Sequence, residues 1–158
     1  MKQRIKTFVI ITDNSGVLLI KHNDPLDGKE FRVLPGGGME DEDSDIYACA
    51  TREAFEETGL RVELDRIVYV DEFFDKNRDI LSLQIYMVAS SFTGTPSLEN
   101  TIKDGPFNEH ICDLRWMNKD EMSDEVVFPE ELHKFFWSDL KNGFTSVRYL
   151  GRRKSDPV

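Results

Sequence analysis

The sequence predicts an α/β fold in which a mixed β-sheet lies between helices. Strand-like apolar runs stand on both sides of a helical segment at residues 45–58, and an amphipathic helix at 129–142 follows the last of them. The 158 residues, 39% hydrophobic and 11% aromatic, suit one folded domain over 1–158 with a core of its own. There is no internal repeat.

Residues 5–12 read as a buried strand, 13–16 as a turn, and 17–20 as the second arm of a hairpin. A short strand at 31–34 runs into a loop of Pro35, Gly36, Gly37 and Gly38. In the helix at 45–58, Ile46, Ala50 and Ala54 form the core-facing stripe, and their small size lets the helix lie close to a sheet. Ser44 or Asp45 caps its start, and Gly59 ends it in the left-handed conformation. Strands follow at 61–71, 72–74 and 81–90, with 75–79 as the polar tip of a hairpin. Residues 92–106 make a loop rich in Thr, Gly, Pro and Ser; 113–117 is a last short strand, and 119–122 begins a turn or helix. In the closing helix, Pro129 suits the first turn, Leu132, Phe135, Phe136 and Leu140 share one stripe, and Gly143 stops it. The basic tail of Arg148, Arg152, Arg153 and Lys154 reads as a solvated end.

Charge and cysteine usage narrow the setting. A formal net charge of −10 makes the chain a poor electrostatic host for duplex nucleic acid, which is gripped through Lys and Arg. It is equally awkward for a free anionic ligand, unless the ligand arrives as a metal complex. Cys49 and Cys112 have no zinc-like spacing, no apolar run reaches the ~18 residues of a membrane span, and no signal-peptide pattern opens the sequence. A reducing, cytoplasmic location without membrane contact is the expectation. Cys49, among alanines, reads as a small buried residue.

The chemistry sits in Arg52-Glu53-Ala54-Phe55-Glu56-Glu57-Thr58-Gly59-Leu60. On a helix Glu53, Glu56 and Glu57 fall at i, i+3 and i+4 and share one face, where like charges repel. A divalent cation such as Mg²⁺ or Mn²⁺, which prefers hard oxygen ligands, relieves that repulsion. The glycines upstream let backbone approach whatever the metal holds. The pattern points to a metal-assisted phosphate site.

These residues resemble the signature of the Nudix hydrolases, MutT-like proteins marked by a Gly, five residues, a Glu, seven residues, then Arg-Glu-apolar-x-Glu-Glu-x-Gly-apolar. Arg52 to Leu60 match every specified position of the second half. In the first half, gapless counting from Gly38 puts Ser44 where the family has Glu, and a one-residue length change would bring Asp43 there instead. The resemblance implies a Nudix-type α/β/α sandwich with a loop-helix-loop box. It also implies water attack on a diphosphate linked to another group, usually a nucleoside.

In that reading Glu56 and Glu57 are the main metal ligands, Glu53 is a further ligand or the general base, and a Gly37 or Gly38 carbonyl completes the shell. Arg52, i, i+4 from Glu56, is an orienting salt bridge. Parts of the family use a Glu in the loop before the last strand as general base, and Glu109 occupies that kind of loop. Phe73, Phe74 and Tyr86 are candidates to stack on a base. His22 and His110 read as surface residues. The proline that marks ADP-ribose hydrolases has no match at 74–77. The competing reading is a non-catalytic Nudix-fold nucleotide sensor or partner-binding module, which the retained glutamates argue against. Exposed edge strands and the aromatic last helix are compatible with a homodimer.

Overall fold

The computed structural model describes residues 1–24, 27–101 and 110–155. Nine strands and three helices run β1 (Lys2–Ile10), β2 (Thr12–Asp13), β3 (Gly16–Asn23), β4 (Glu30–Val33), β5 (Gly36–Gly38), α1 (Ile46–Thr58), β6 (Arg61–Asp75), β7 (Ile80–Thr93), β8 (Ile111–Met117), α2 (Lys119–Ser123), α3 (Glu131–Lys141) and β9 (Arg148–Lys154) among the described residues. They build two sheets. The larger has the order β5-β1-β7-β6-β9 and is mixed: β1 runs parallel to β7 and β6 parallel to β9, while β5 and β6 oppose β1 and β7. In the smaller, β3 pairs with β2, β4 and β8.

Alternation along β1 sends successive side chains to two separate cores. Val9 and Ile11 join Leu18, Met87 and the α1 residues Ala50 and Ala54. Ile10 joins Leu19, Tyr69, Tyr86, Met122 of α2, and Leu132 and Phe136 of α3. Ala50 and Ala54 have no exposed surface, so the helix axis comes close to the sheet, as the small-residue stripe predicts. The Thr7 hydroxyl then reaches Cys49 Sγ at 3.1 Å across that contact. Cys49 is buried, and no described helix is long and apolar enough to cross a membrane.

The structure departs from the sequence expectation in three places. β6 is one continuous strand through residue 75, with register shifts that accommodate its bend. The three glycines are a strand paired to β1 and not a free loop. The tail is the largest correction, since Arg148–Lys154 is an edge strand with matched cations. Arg148 donates to both oxygens of Asp139 at 2.7 and 2.8 Å, and Arg153 donates to Asp71 at 2.7 Å. Arg152 pairs with Glu72.

Asp139 ties three elements, because Tyr69 of β6 also donates its hydroxyl to it at 2.8 Å while Arg148 comes from β9. Asp139→Ala leaves a guanidinium and a phenol without their acceptor. It is expected to lower unfolding stability by about 1–3 kcal/mol in urea titrations, whereas the exposed neighbour change Ser138→Ala should fall within about 0.5 kcal/mol of wild type.

Candidate active site

Two local features place the acidic helix. The Asp45 side chain accepts the Ala48 N–H at 2.8 Å as N-cap, and Gly59, at φ 75°, closes the other end by donating to Phe55 O at 2.8 Å. β5 lies beside the helix with Gly38, Gly37 and Gly36 opposite Lys6, Thr7 and Phe8. Close approach makes glycine necessary here: a Cβ on Gly37 would stand 2.5 Å from the Glu53 carboxylate.

Arg52 is the hub of the site. Its guanidinium donates to Asp43 at 2.9 and 2.8 Å and to the Gly38 carbonyl at 3.1 Å. It donates also to Glu53 at 3.0 Å and Glu56 at 3.2 Å. Of the two residues the sequence left open, Asp43 is the one that meets the arginine, while Ser44 is exposed. The Arg52 guanidinium holds the Asp43 carboxyl down to about 2. Two further bonds close the turn around it, Glu40 N–H to Asp43 Oδ2 at 2.9 Å and Asp43 N–H to Glu40 O at 3.0 Å.

The other carboxylates are short of water. Glu53 and Glu57 are only 7% and 6% exposed. Burial pushes Glu57 well above the usual carboxylate range, against the Gly36 N–H that it accepts at 2.7 Å. Burial raises Glu53 too, against the pull of Arg52. The nearby Lys6 is drawn down to about 8, first by its own burial and then by the charge of Arg4, while Glu57 and Glu53 oppose the change. Among the described residues no three His, Cys, Asp or Glu side chains converge into a ready metal-binding group. Arg52 gathers Glu53 and Glu56, and Glu57 turns toward Gly36. The donors are nevertheless hard oxygens on one helix face, crowded and poorly hydrated, which is the kind of set a divalent cation favours.

The remaining predicted site residues scatter. Gly37 and Gly38 lie against Glu53 and the Arg4 guanidinium. Phe73 is half-buried on β6 with Arg153 over its ring at 5.7 Å. Tyr86 is a correction: it is 2% exposed, stacked on Phe8 at 5.0 Å and met edge-on by Tyr69, so neither ring face is open to a base. Its hydroxyl reaches Gln84 Oε1 at 3.1 Å. His22 also departs from a surface role. It stacks on Phe31 at 5.4 Å and is drawn down to about 4, chiefly by burial, so it is neutral at pH 7. Glu109 lies outside the described residues.

Sequence reasoning passed over Arg4 and Lys6, although the alternation Arg4, Lys6, Phe8 carries the period of a strand. A cavity of about 850 Å³, lined in part by Arg4, Ile5, Asp43, Glu72 and Leu83, opens beside the hub.

A family model described as NUDIX domain matches residues 2–137. The chain belongs to the Nudix family. Nudix hydrolase 22, chloroplastic, from Arabidopsis thaliana is 31% identical over 133 residues, covering 80% of this chain and 42% of that protein. The chain therefore spans less than half the length of that relative. The fold matches solved Nudix structures. The MutT NUDIX hydrolase from Burkholderia pseudomallei has a TM-score of 0.66 at 21% identity, over 84% of this chain and 96% of that one. A NUDIX hydrolase from Nitrosomonas europaea has a TM-score of 0.70 at 17% identity, over 94% and 93%.

The Asp43–Arg52 pair of this Nudix box gives a pH prediction. A folded-state value near 2 lies below the model-peptide value of 3.8, so the unfolded chain takes up the proton first. The pair's stabilisation is complete above the unfolded value and lost as pH falls toward 2. Denaturant unfolding across that window should show a share of acid destabilisation that is missing in Asp43→Asn. The variant itself should be about 1–3 kcal/mol less stable at pH 7.

Proposed function

We propose that this Nudix protein is a divalent-metal-dependent pyrophosphohydrolase that cleaves a diphosphate joined to another group, most naturally a nucleoside. The observation that carries the reading is the desolvated pair Glu53 and Glu57, held on one helix face with Glu56 against the glycine strand. Glu56 and Glu57, with the Gly38 carbonyl, would hold Mg²⁺ or Mn²⁺. When bound, such a cation offsets phosphate charge and makes water a better nucleophile.

The chain's own residues supply position and proton transfer. Water oxygen bonds to phosphorus, the bridging P–O bond breaks, and a phosphate or nucleotide leaves with the bond's electrons. Burial raises the basicity of Glu53, which suits it to take the water's proton. Arg52 is a positioning residue, since it fixes the carboxylate oxygens of Glu53 and Glu56 relative to the Gly38 carbonyl. Gly37 leaves the space in which the Glu53 carboxylate sits. Two free cysteines support a reducing, cytoplasmic setting for this activity.

The test is product release from a panel of nucleoside diphosphate derivatives with Mg²⁺ or Mn²⁺ and with EDTA. Release should require the metal, and Glu57→Gln should lower it by at least about a hundredfold while the protein stays folded by circular dichroism. No metal-dependent release from any substrate, with nucleotide binding intact, would replace the enzyme by a sensor. Gly37→Ala sets a second expectation. Its methyl must displace the Glu53 carboxylate, so turnover should fall on the order of tenfold to a hundredfold with little change in thermal midpoint.

A further inference from the structure

The box is acidic, yet a diphosphate brings negative charge of its own, and two cations beside the glycine edge of the box come from β1. Arg4 and Lys6 are two residues apart on that strand, so their side chains leave the same side. Lys6 is opposite Gly38 in register. The Arg4 guanidinium lies against the same glycine, where an added Cβ would stand 2.2 Å from Nη2. The Glu53 carboxylate lies against the adjoining Gly37 in the same way. Two consecutive glycines thus separate a cationic wall from an anionic one.

The cationic wall is crowded. Arg4 and Lys6 leave the same side of β1 and meet at one glycine, Gly38. This gathering of positive charge at one glycine runs against the overall net charge of −10. It does suit an anion that lies across both side chains. A guanidinium offers a planar fork to phosphate oxygens, and an ammonium offers a compact charge on a flexible stem.

We propose that Arg4 and Lys6 form a phosphate clamp beside Gly38 that grips one phosphate of the diphosphate while the box carboxylates serve the other. The clamp rests on the diphosphate reading of this site and adds to it the residues that hold the anion itself. Arg4 also lines the adjoining cavity, so the group attached to the clamped phosphate is directed toward it.

The experiment measures binding of inorganic pyrophosphate by calorimetry, with Ca²⁺ present so that the anion arrives as its metal complex, and with no turnover read. Wild type should bind. Arg4→Gln and Lys6→Met should each weaken binding by about tenfold or more, the loss expected for one charge-assisted contact. Arg4→Lys should fall between wild type and Arg4→Gln. Lys134→Gln, which removes one positive charge from the exposed face of α3, should bind like wild type. Circular dichroism checks that each variant is folded, and Arg4→Lys carries the test if Arg4→Gln is not. The clamp is overturned if wild type does not bind, if Arg4 and Lys6 variants bind as wild type does, or if Lys134→Gln loses as much. Pyrophosphate held by wild type but not by the clamp variants, in a protein without hydrolysis, would keep the clamp and remove the hydrolase. Hydrolysis with KM unchanged in both variants would do the reverse.

Discussion

The site depends on what one guanidinium does to four oxygen-bearing partners. Three glutamates on one turn-and-a-bit of helix repel each other, and the surrounding sheet removes the water that would screen them. Arg52 answers from within the same helix, holding Glu53 and Glu56 and reaching out to Asp43 and the Gly38 carbonyl. The helix, the loop before it and the glycine strand are thereby fixed to one another through a single side chain. Lysine would not substitute, because a point charge cannot hold Asp43 through two parallel bonds while also meeting a carbonyl and two other carboxylates.

The second constraint is the position of β1. Thr7 and Val9 face α1, whereas Phe8 and Ile10 face the other core, so the strand is committed on both sides. The Gly36–Gly38 strand covers part of its edge. Lys6 and Arg4 belong to the face of Phe8 by parity and yet stand beside the box carboxylates, because they lie next to the glycine edge of the sheet. The low average charge of the chain conceals this. Acidic and basic walls adjoin at one place in a chain of net charge −10, where the proposed diphosphate and its cation would both find partners.

What was legible in the sequence was whatever local chemistry decides. The cap at Asp45, the left-handed Gly59 and the alanine stripe follow from residues within a few positions of each other, and each stands where the sequence puts it. The order of strands and helices, and with it the mixed sheet, followed from periodicity. The tail was misread because its cations become structural only through partners more than seventy residues away in two cases: Arg152 with Glu72 and Arg153 with Asp71. Nothing in a run of basic residues announces a parallel pairing with β6. Tyr86 failed for a related reason. Alternation says that one face of a strand is buried but not which one, and register shifts in β6 break the parity argument between neighbours. Arg4 was hidden by a boundary, since a strand read from residue 5 leaves it outside.

The contact of Asp43 with Arg52 depends on the shape of the loop before α1. Ser44 occupies the place that gapless counting reserves for Glu, and it is exposed. Asp43, one residue earlier, puts both oxygens on Arg52 and is only 5% exposed. The reason lies in the turn. Glu40 and Asp43 exchange backbone and side-chain bonds, which folds the loop back so that the shorter aspartate already points at the helix. What the arginine requires is an acceptor pair at the right place in space, and the count along the chain matters only so far as the loop translates it into that place. Had the loop been straight, a one-residue shift would have turned the carboxylate away and left Arg52 to lean on Glu53 and Glu56 alone. The bidentate bond to Asp43 spares those two from carrying the whole of its charge.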